Sequence, residues 1–463
     1  VSSVPIGRAF SQLADEAPDV VAVRCGDRAL TRRELDIESN RVAHAWAGRV
    51  GHDDLVTIAL PNGLDFVLAC VATWKLGATP QPLSPRLGAG ERGTILDLVR
   101  PALVVDERFV RGGLERSTDD SPLPGLAASS WKAPTSSGST GRPKVVRAAA
   151  PATVDLGRPV APFVPRHAVQ LVAGPLFHAA PFAYAMRGLM TGHELVVMPS
   201  FDAADAFRAI ERHRVTWTVL VPTMMHRIWR LPGREARDVA SLQSVLHLGA
   251  RCAPWLKRAW LAWLGPERIV EVYAGTESQG LAMITGPEWL QRPGSVGRGV
   301  SGSEFRIVRP DGSRAAAGEV GEIVMRRAGP PTSSYLGQGP TVRDGWHTLG
   351  DAGWMDVDGY LYVADRLDDV IVTGGVNVHP ADVEAVIEAH PDVRSSVVVP
   401  RDDDERGQVV HAVVDVDAAD VAEADLLRWA RERLDPEKVP RSWQLVREEL
   451  RDDTGKARRR THR

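Results

Sequence analysis

The sequence predicts an α/β protein with a large N-terminal domain of stacked, mostly parallel sheets, a small β-barrel-like unit, and a small α+β C-terminal domain. Three observations lead there. Short runs that are apolar throughout recur between helical stretches from about 55 to 275, as expected of strands covered on both faces. After about 295 the pattern changes to strand-like runs joined by a DG turn. From 369 onward, strand and helix signals alternate in a compact tail. A chain of 463 residues also exceeds one ordinary core and implies two or three domains.

In chain order, LVTIAL (55–60) reads as a strand and GLDFVLACVATWKLGA as the apolar-striped helix after it. The stretch 106–134 is polar and rich in Pro, Gly and Ser, and predicts a loop. QLVAGPL, ELVVMP, VTWTVLVP, SVLHLGA and RIVEVYA predict further strands with helices between them, and Trp255, Trp260 and Trp263 predict one helix packing face. EFRIVRPDGSRAAAGEVGEIVMRR predicts antiparallel strands. The tail reads as VIVTGG, a helix opening at HPADVEAVIEAH with Pro380 near its first turn, strands SSVVVP and QVVHAVVDV, a helix near 421–434, and WQLV. The charged link DRLDD (365–369) sets the expected boundary, with domains 1–367 and 368–463.

A net charge of −3 supplies no global field for nucleic acid or an acidic membrane, so neither partner is expected. Cys25, Cys70 and Cys252 lie far apart without CxxC spacing, which argues against a disulfide framework or zinc site and fits a reducing cytoplasm. No apolar run reaches ~18 residues, so no membrane span is expected. VSSVPIGRAFSQL lacks the basic start and apolar stretch of a signal peptide.

Several polar signatures fall at or near predicted strand ends, where open α/β sheets bind ligands. TSSGSTGRPK (135–144) combines small residues with a lysine, which suits either a phosphate-binding loop or an exposed linker; it lacks the Walker A spacing. GPLFHAAPF places His178 after a strand, and VEVYAGTES places Thr276 and Glu277 after another. HTLGDAGWMDVDGYLYVADR supplies Asp351 and Arg366, and ELRDDTGK carries Lys456. Taken alone, His178 reads first as a structural histidine, Lys456 as part of a solvated basic tail, and the others as turns.

In their order and spacing, TSSGSTGRPK, PLFHAAP, YAGTES, HTLGD, DRLDDVIVTGGVNVHPADVE and TGK together resemble the adenylate-forming superfamily over nearly the whole chain. The GTE form, WHTLGD and PGSVGR resemble its acyl-CoA synthetase (acid–CoA ligase) branch. The resemblance implies ATP, Mg²⁺ and CoA as cofactors and co-substrates, a carboxylic acid as substrate, and a mobile C-terminal lid. It implies that Ser137, Gly138, Ser139, Thr140, Gly141 and Lys144 hold the β- and γ-phosphates. Thr276 would sit near the α-phosphate, Glu277 on Mg²⁺, and Asp351 and Arg366 on the ribose. Gly249, Ala250, Arg251 and Tyr273 would belong to the nucleotide site. His178 would border the acyl carboxylate, and Lys456 would bridge that carboxylate and the α-phosphate. Asp368 would be the hinge, with Gly374 and Gly375 lining the pantetheine passage.

The implied acyl pocket comprises Phe177, Ala180, Phe182, Met224, Met225, Ala274 and Gly280. Its apolar character suits a hydrophobic carboxylic acid, with polycyclic or diterpenoid acids among the classes. No acid in PLFHAAPFAYAMRG faces an α-ammonium, so an amino-acid substrate is not expected. ELRDDTGK departs from the superfamily by lacking a proline, being one residue short, and carrying Asp452 and Asp453; Val145 replaces a common glycine. Alternatives are a ligase devoted to thioesterifying a supplied acyl-adenylate, one that loads a carrier protein, or a non-catalytic nucleotide-binding homologue.

Overall fold

The computed structural model describes residues 3–136, 144–337, 342–416 and 421–451, together with positions 455, 457, 459 and 462. A nine-stranded sheet organises the N-terminal part. Its spatial order is Arg298–Gly299, Leu281–Thr285, Ile269–Ala274, Ser244–His247, Trp217–Leu220, Val169–Val172, Glu194–Val197, Val21–Cys25 and Arg28–Thr31. The strands from Ile269–Ala274 to Val21–Cys25 run parallel, and the outer strands are antiparallel. Trp217–Leu220 and Ser244–His247 are buried at every position, which explains why neither alternates apolar with exposed polar residues. On one face Val245 and Ile269 pack with the helices Ala203–His213, Pro222–Arg230 and Pro254–Leu264; on the other, Trp217, Val219, Leu246, Val270 and Val272 form a second core. Trp260 is buried and Trp263 contacts Phe207, Trp229 and Trp260, as the expected packing face requires.

A second, three-stranded parallel sheet is formed by Thr79–Pro82, Leu55–Ala59 and Leu103–Asp106. The helix Leu64–Lys75 is buried at every position except Asp65. Its Phe66 and Trp74 join Phe182 and Trp131 in an aromatic cluster, with Phe182 6.2 to 6.3 Å from each of the other three rings.

The strands Ser303–Val308, Gly321–Arg327, Trp346–Met355 and Leu361–Arg366, with Val342–Arg343, form the small antiparallel unit. A third small sheet matters for function. Thr135–Ser136 pairs antiparallel with Lys144–Ala148, which in turn pairs with Ser333–Leu336. The hydroxyl-rich motif is therefore carried on a paired stem, while 137–143 lie outside the described residues. Val145 is fully buried in this stem, facing Leu336, so a side chain there fills core volume.

Leu367–Asp369 forms a single 3₁₀ turn after the last strand of this unit. The C-terminal sheet then follows, from Ile371–Thr373, Val376–Val378, Val393–Asp403, Gly407–Val416 and Ser442–Val446. The helix Pro380–Ile387 has proline in its first turn as expected, and with Glu423–Arg431 it covers the core.

Gly297 tests the close packing between the sheets. Its φ is +94°, and a Cβ there would lie 1.9 Å from the carbonyl oxygen of Met283. Gly297→Ala is expected to cost about 2 kcal/mol or more, read as a lowered unfolding midpoint.

Candidate active site

Four neighbouring parallel strands end on one edge of the large sheet, and the residues after them share one cleft. Val169–Val172 leads to Gly174 and His178, Trp217–Leu220 to Val221 and Thr223, Ser244–His247 to Gly249–Arg251, and Ile269–Ala274 to Thr276 and Glu277. The cleft, of about 2690 Å³, is closed from the other side by Lys144, Asp351, Arg366 and part of the C-terminal domain. Ligands of open parallel sheets bind at this edge.

Asp351 and Arg366 are direct partners across an antiparallel hairpin. Arg366 Nε lies 3.1 Å from Asp351 Oδ1, while Tyr273 donates its hydroxyl to Oδ2 at 2.6 Å. Burial, and then the charge of Asp351, raise the Tyr273 phenol well above its ordinary value, so it stays a donor. Each carboxylate oxygen thus has one protein partner and spare acceptor capacity.

Glu277 is only 5% exposed and faces Lys144, with Nζ 3.0 Å from Oε1. Lys144 also lies 5.5 Å from the centroid of the Tyr335 ring. Thr332 Oγ1 donates to the Glu277 backbone carbonyl at 2.8 Å, tying this turn to the third sheet. Gly275 permits the turn to close: a Cβ there would meet Leu349 at 2.7 Å and Glu277 Oε2 at 3.0 Å. A buried carboxylate balanced by one ammonium fits a hard divalent cation, because it supplies the oxygen donor Mg²⁺ prefers.

The C-terminal domain meets this edge through arginines. On the helix Pro222–Arg230, Arg230 donates to the carbonyls of Glu388, His390 and Pro391, at the end of the helix Pro380–Ile387 where positive charge is favoured. Arg227 pairs with Glu449 at 2.8 Å, and Arg251 with Asp382 at 2.7 Å. The last segment is fastened at both ends to buried Glu384: Arg451 Nη2 lies 3.0 Å from it, and Arg459 also pairs with it. Burial opposes the Glu384 charge, but Arg459 and Arg451 outweigh it and hold its carboxyl below the ordinary range. Between these anchors Gly455 sits against Thr223, where a Cβ would lie 2.7 Å from Oγ1.

Lys144, His178, Gly249, Ala250, Arg251, Tyr273, Thr276, Glu277, Asp351, Arg366 and Asp368 all line the cleft, as do Ala180, Met224 and Ala274. Arg251 is engaged with Asp382 and the Ala364 carbonyl at the domain interface. The other expected residues lie away from the cleft wall or outside the described residues. Phe182 and Met225 have no exposed surface: Phe182 is held in the aromatic cluster, and the Met225 backbone carbonyl accepts from Trp260 Nε1 in the core. Phe177 is buried beside the His178 ring, 4.6 Å away between centroids, and is not on the cleft wall. Gly280 is covered by Met325, whose side chain a Cβ would meet at 2.7 Å. Gly374 and Gly375 form an exposed hairpin turn outside the cleft. Ser137, Gly138, Ser139, Thr140, Gly141 and Lys456, with Asp452 and Asp453, lie outside the described residues.

Sequence reasoning missed Trp131, Lys132, Tyr184 and Arg187, all on the cleft wall. Ala180, Ala183, Tyr184 and Arg187 follow the three-four spacing of one face of the helix Ala179–Met190, a signal present in AAPFAYAMRGLM.

The family model described as AMP-binding enzyme matches residues 10–129 and 133–335, and that of the AMP-binding enzyme C-terminal domain matches 382–456. The chain belongs to this family, the adenylate-forming enzymes. The 2-succinylbenzoate–CoA ligase of Bacillus licheniformis is 31% identical, over 94% of this chain and 95% of that protein. A feruloyl-CoA synthase from an Amycolatopsis species is 32% identical, over 92% of each. Among solved structures, the o-succinylbenzoate CoA synthetase of Bacillus subtilis in complex with its acyl-adenylate intermediate matches with a TM-score of 0.81 and 25% identity, covering 100% of this chain and 98% of that one. The same enzyme in complex with ATP and magnesium ion also gives a TM-score of 0.81, at 25% identity and 98% coverage of both chains. Among the described residues no helix is long and apolar enough to cross a membrane, and the three cysteines are unpaired.

The terminal segment and the domain interface can each be probed. Arg451→Met leaves Glu384 and Glu388 short of a buried partner, at a cost of about 3 kcal/mol to tail anchoring. Limited proteolysis should then cut the segment after Val446 faster, with the N-terminal domain melting as before. His226 is buried beside Arg230 and Trp255, and burial, then Arg230, lowers its pKa to about 4, with the Arg451 charge acting the same way. An exposed histidine titrates near ~6.5, so the undocked form binds more protons below that pH. Docking should be full above ~6.5 and weaken progressively toward pH 4, followed by energy transfer between dyes on the two domains, with a flatter profile in His226→Gln.

Proposed function

We propose that this protein is an AMP-forming acid–CoA ligase: ATP and a carboxylic acid yield an acyl-adenylate and pyrophosphate, and CoA then takes the acyl group and releases AMP. The observation that carries this reading is the convergence of the Tyr273–Asp351–Arg366 group and the Lys144–Glu277 pair on one cleft beside His178. The family membership and the named activities of the relatives support it.

In this reading the free acceptor sites of Asp351 take the two ribose hydroxyls, while Tyr273 and Arg366 hold the carboxylate in orientation. Lys144 moves its ammonium from Glu277 to a phosphate oxygen as the triphosphate enters, which frees Glu277, the residue that would hold Mg²⁺. Bound there, Mg²⁺ would offset negative charge on the phosphate oxygens. A carboxylate oxygen of the acid attacks the α-phosphorus, and the bond to the leaving pyrophosphate breaks. Lys456 supplies the positive charge between these groups. The Arg451 and Arg459 anchors and the seat of Gly455 on Thr223 support such a placement despite the shortened ELRDDTGK segment. The CoA thiolate then attacks the acyl carbon, and AMP leaves.

We divide the chain into 1–367 and 368–463, with Asp368 as the pivot in the Leu367–Asp369 turn. The exposed position of Gly374 and Gly375 agrees with a tail domain that must rotate before its hairpin meets the pantetheine arm. The substrate has a hydrophobic body, of the aryl or polycyclic kind, because Ala180, Met224 and Ala274, with Phe163, Tyr184 and Met283, line the cleft.

Lys456→Ala should lower ATP–pyrophosphate exchange by about 10²- to 10³-fold, the effect of removing one focused donor of charge. CoA transfer from a synthetic acyl-adenylate should survive in the same variant. Exchange absent from the wild type across an acid panel, with transfer intact, would restrict the enzyme to thioesterification. Loss of both in the wild type would sink the ligase reading.

A further inference from the structure

The cleft is asymmetric in charge. At the nucleotide end each carboxylate has a cationic or hydroxyl partner, as described for Asp351 and Glu277. At the opposite end two cations line the wall without such a partner. Lys132 Nζ lies 5.1 Å from the centroid of the Trp131 ring, and the Arg187 guanidinium lies 5.3 Å from the same ring system. Neither side chain makes a hydrogen bond or ion pair to any described residue. Asp155, which also lines the cleft, accepts from the backbone N–H of Gly157 and pairs with neither.

The local field is positive. Arg158 and Arg327 line the same cleft and act repulsively on Arg187, and Arg187 acts repulsively on Lys132. Burial, and then Arg187, lower the Lys132 pKa to about 7. Contact with an indole face offsets part of such a cost, but a single ring beside two like charges leaves their mutual repulsion in place. An anion between them removes it and makes charge-assisted hydrogen bonds to both.

Position separates this pair from the phosphate end. Ala148 N–H donates to the Lys132 carbonyl, four residues along the ladder from the Ser136–Lys144 pair, hence ~13 Å from it at strand rise. Arg187 lies nine residues beyond His178, about 13 Å along the helix axis. Tyr184 and Ala180 line the wall between.

The geometry points to a second anion-binding subsite, formed by Lys132 and Arg187 around Trp131, that takes a carboxylate at the far end of the acid being activated. The substrate is then a dicarboxylic acid with an apolar body, one carboxylate beside His178 and the other on this pair. This rests on the ligase reading above and specifies the acid within it.

The test is pyrophosphate exchange and thioester formation with α,ω-dicarboxylic acids and aryl dicarboxylic acids of increasing length, each beside its monomethyl ester. Wild-type kcat/KM should favour one length of diacid over its ester by at least tenfold. Arg187→Met and, separately, Lys132→Met should reduce that preference to near unity, and calorimetric binding of the same diacid should weaken at least tenfold. Melting curves of both variants establish that they fold. Equal use of diacid and ester by the wild type, or a preference that survives both substitutions, overturns the subsite and leaves the ligase reading standing. A rise in the KM for CoA in place of the lost preference would assign the cations to CoA phosphates and overturn the proposal. No turnover of any acid removes the ligase reading and the subsite with it.

Discussion

Parallel strands cannot be joined by tight turns, and each crossover returns the chain to the same starting edge. Everything functional in this protein depends on that constraint. The strands ending at Val172, Leu220, His247 and Ala274 are side by side, so the segments after them meet although the sequence separates them widely. The small antiparallel unit reaches the same edge with Asp351 and Arg366 on facing strands, while the Ser333–Leu336 strand braces the Lys144 stem. The cleft is therefore assembled from backbone that is hydrogen-bonded in sheets, and its charged side chains start from fixed positions.

The charges within the cleft are arranged by place. Where the nucleotide is proposed to bind, anionic side chains have partners that a ligand can replace or extend: Lys144 can turn to phosphate, and Asp351 keeps free lone pairs. At the other end, cations converge on Trp131 with no carboxylate among the described residues paired to them. A cleft that was merely a packing defect would have no reason to hold unpaired charge, since desolvation opposes it.

The C-terminal domain is held by directional contacts to main-chain carbonyls and by ion pairs. Arg230 gathers the carbonyls at one helix end, and Arg251 spans to Asp382. Such contacts are exchangeable for water at modest cost, as the rotation proposed for this domain requires. The terminal segment differs, because its arginines meet a buried glutamate within their own domain. The segment therefore travels with that domain as one body.

Much of this was legible in the chain itself. Unbroken apolar runs announced buried strands, Pro380 announced a helix start, and the ordered motifs brought His178, Glu277, Asp351 and Arg366 to one site. These features are local, set by side-chain chemistry within a few residues. Which apolar residues face the ligand was not legible: Phe182 and Met225 look identical in sequence to pocket lining, yet the aromatic cluster and the Trp260 contact turn them inward. The meeting of Lys132 and Arg187 was hidden as well. They are 55 positions apart and belong to different elements, and only the packing of the helix Ala179–Met190 against Trp131 makes them neighbours. Composition and spacing determined the elements and the motif residues; the direction each side chain faces, and the charges it meets there, depend on contacts that only the tertiary structure forms.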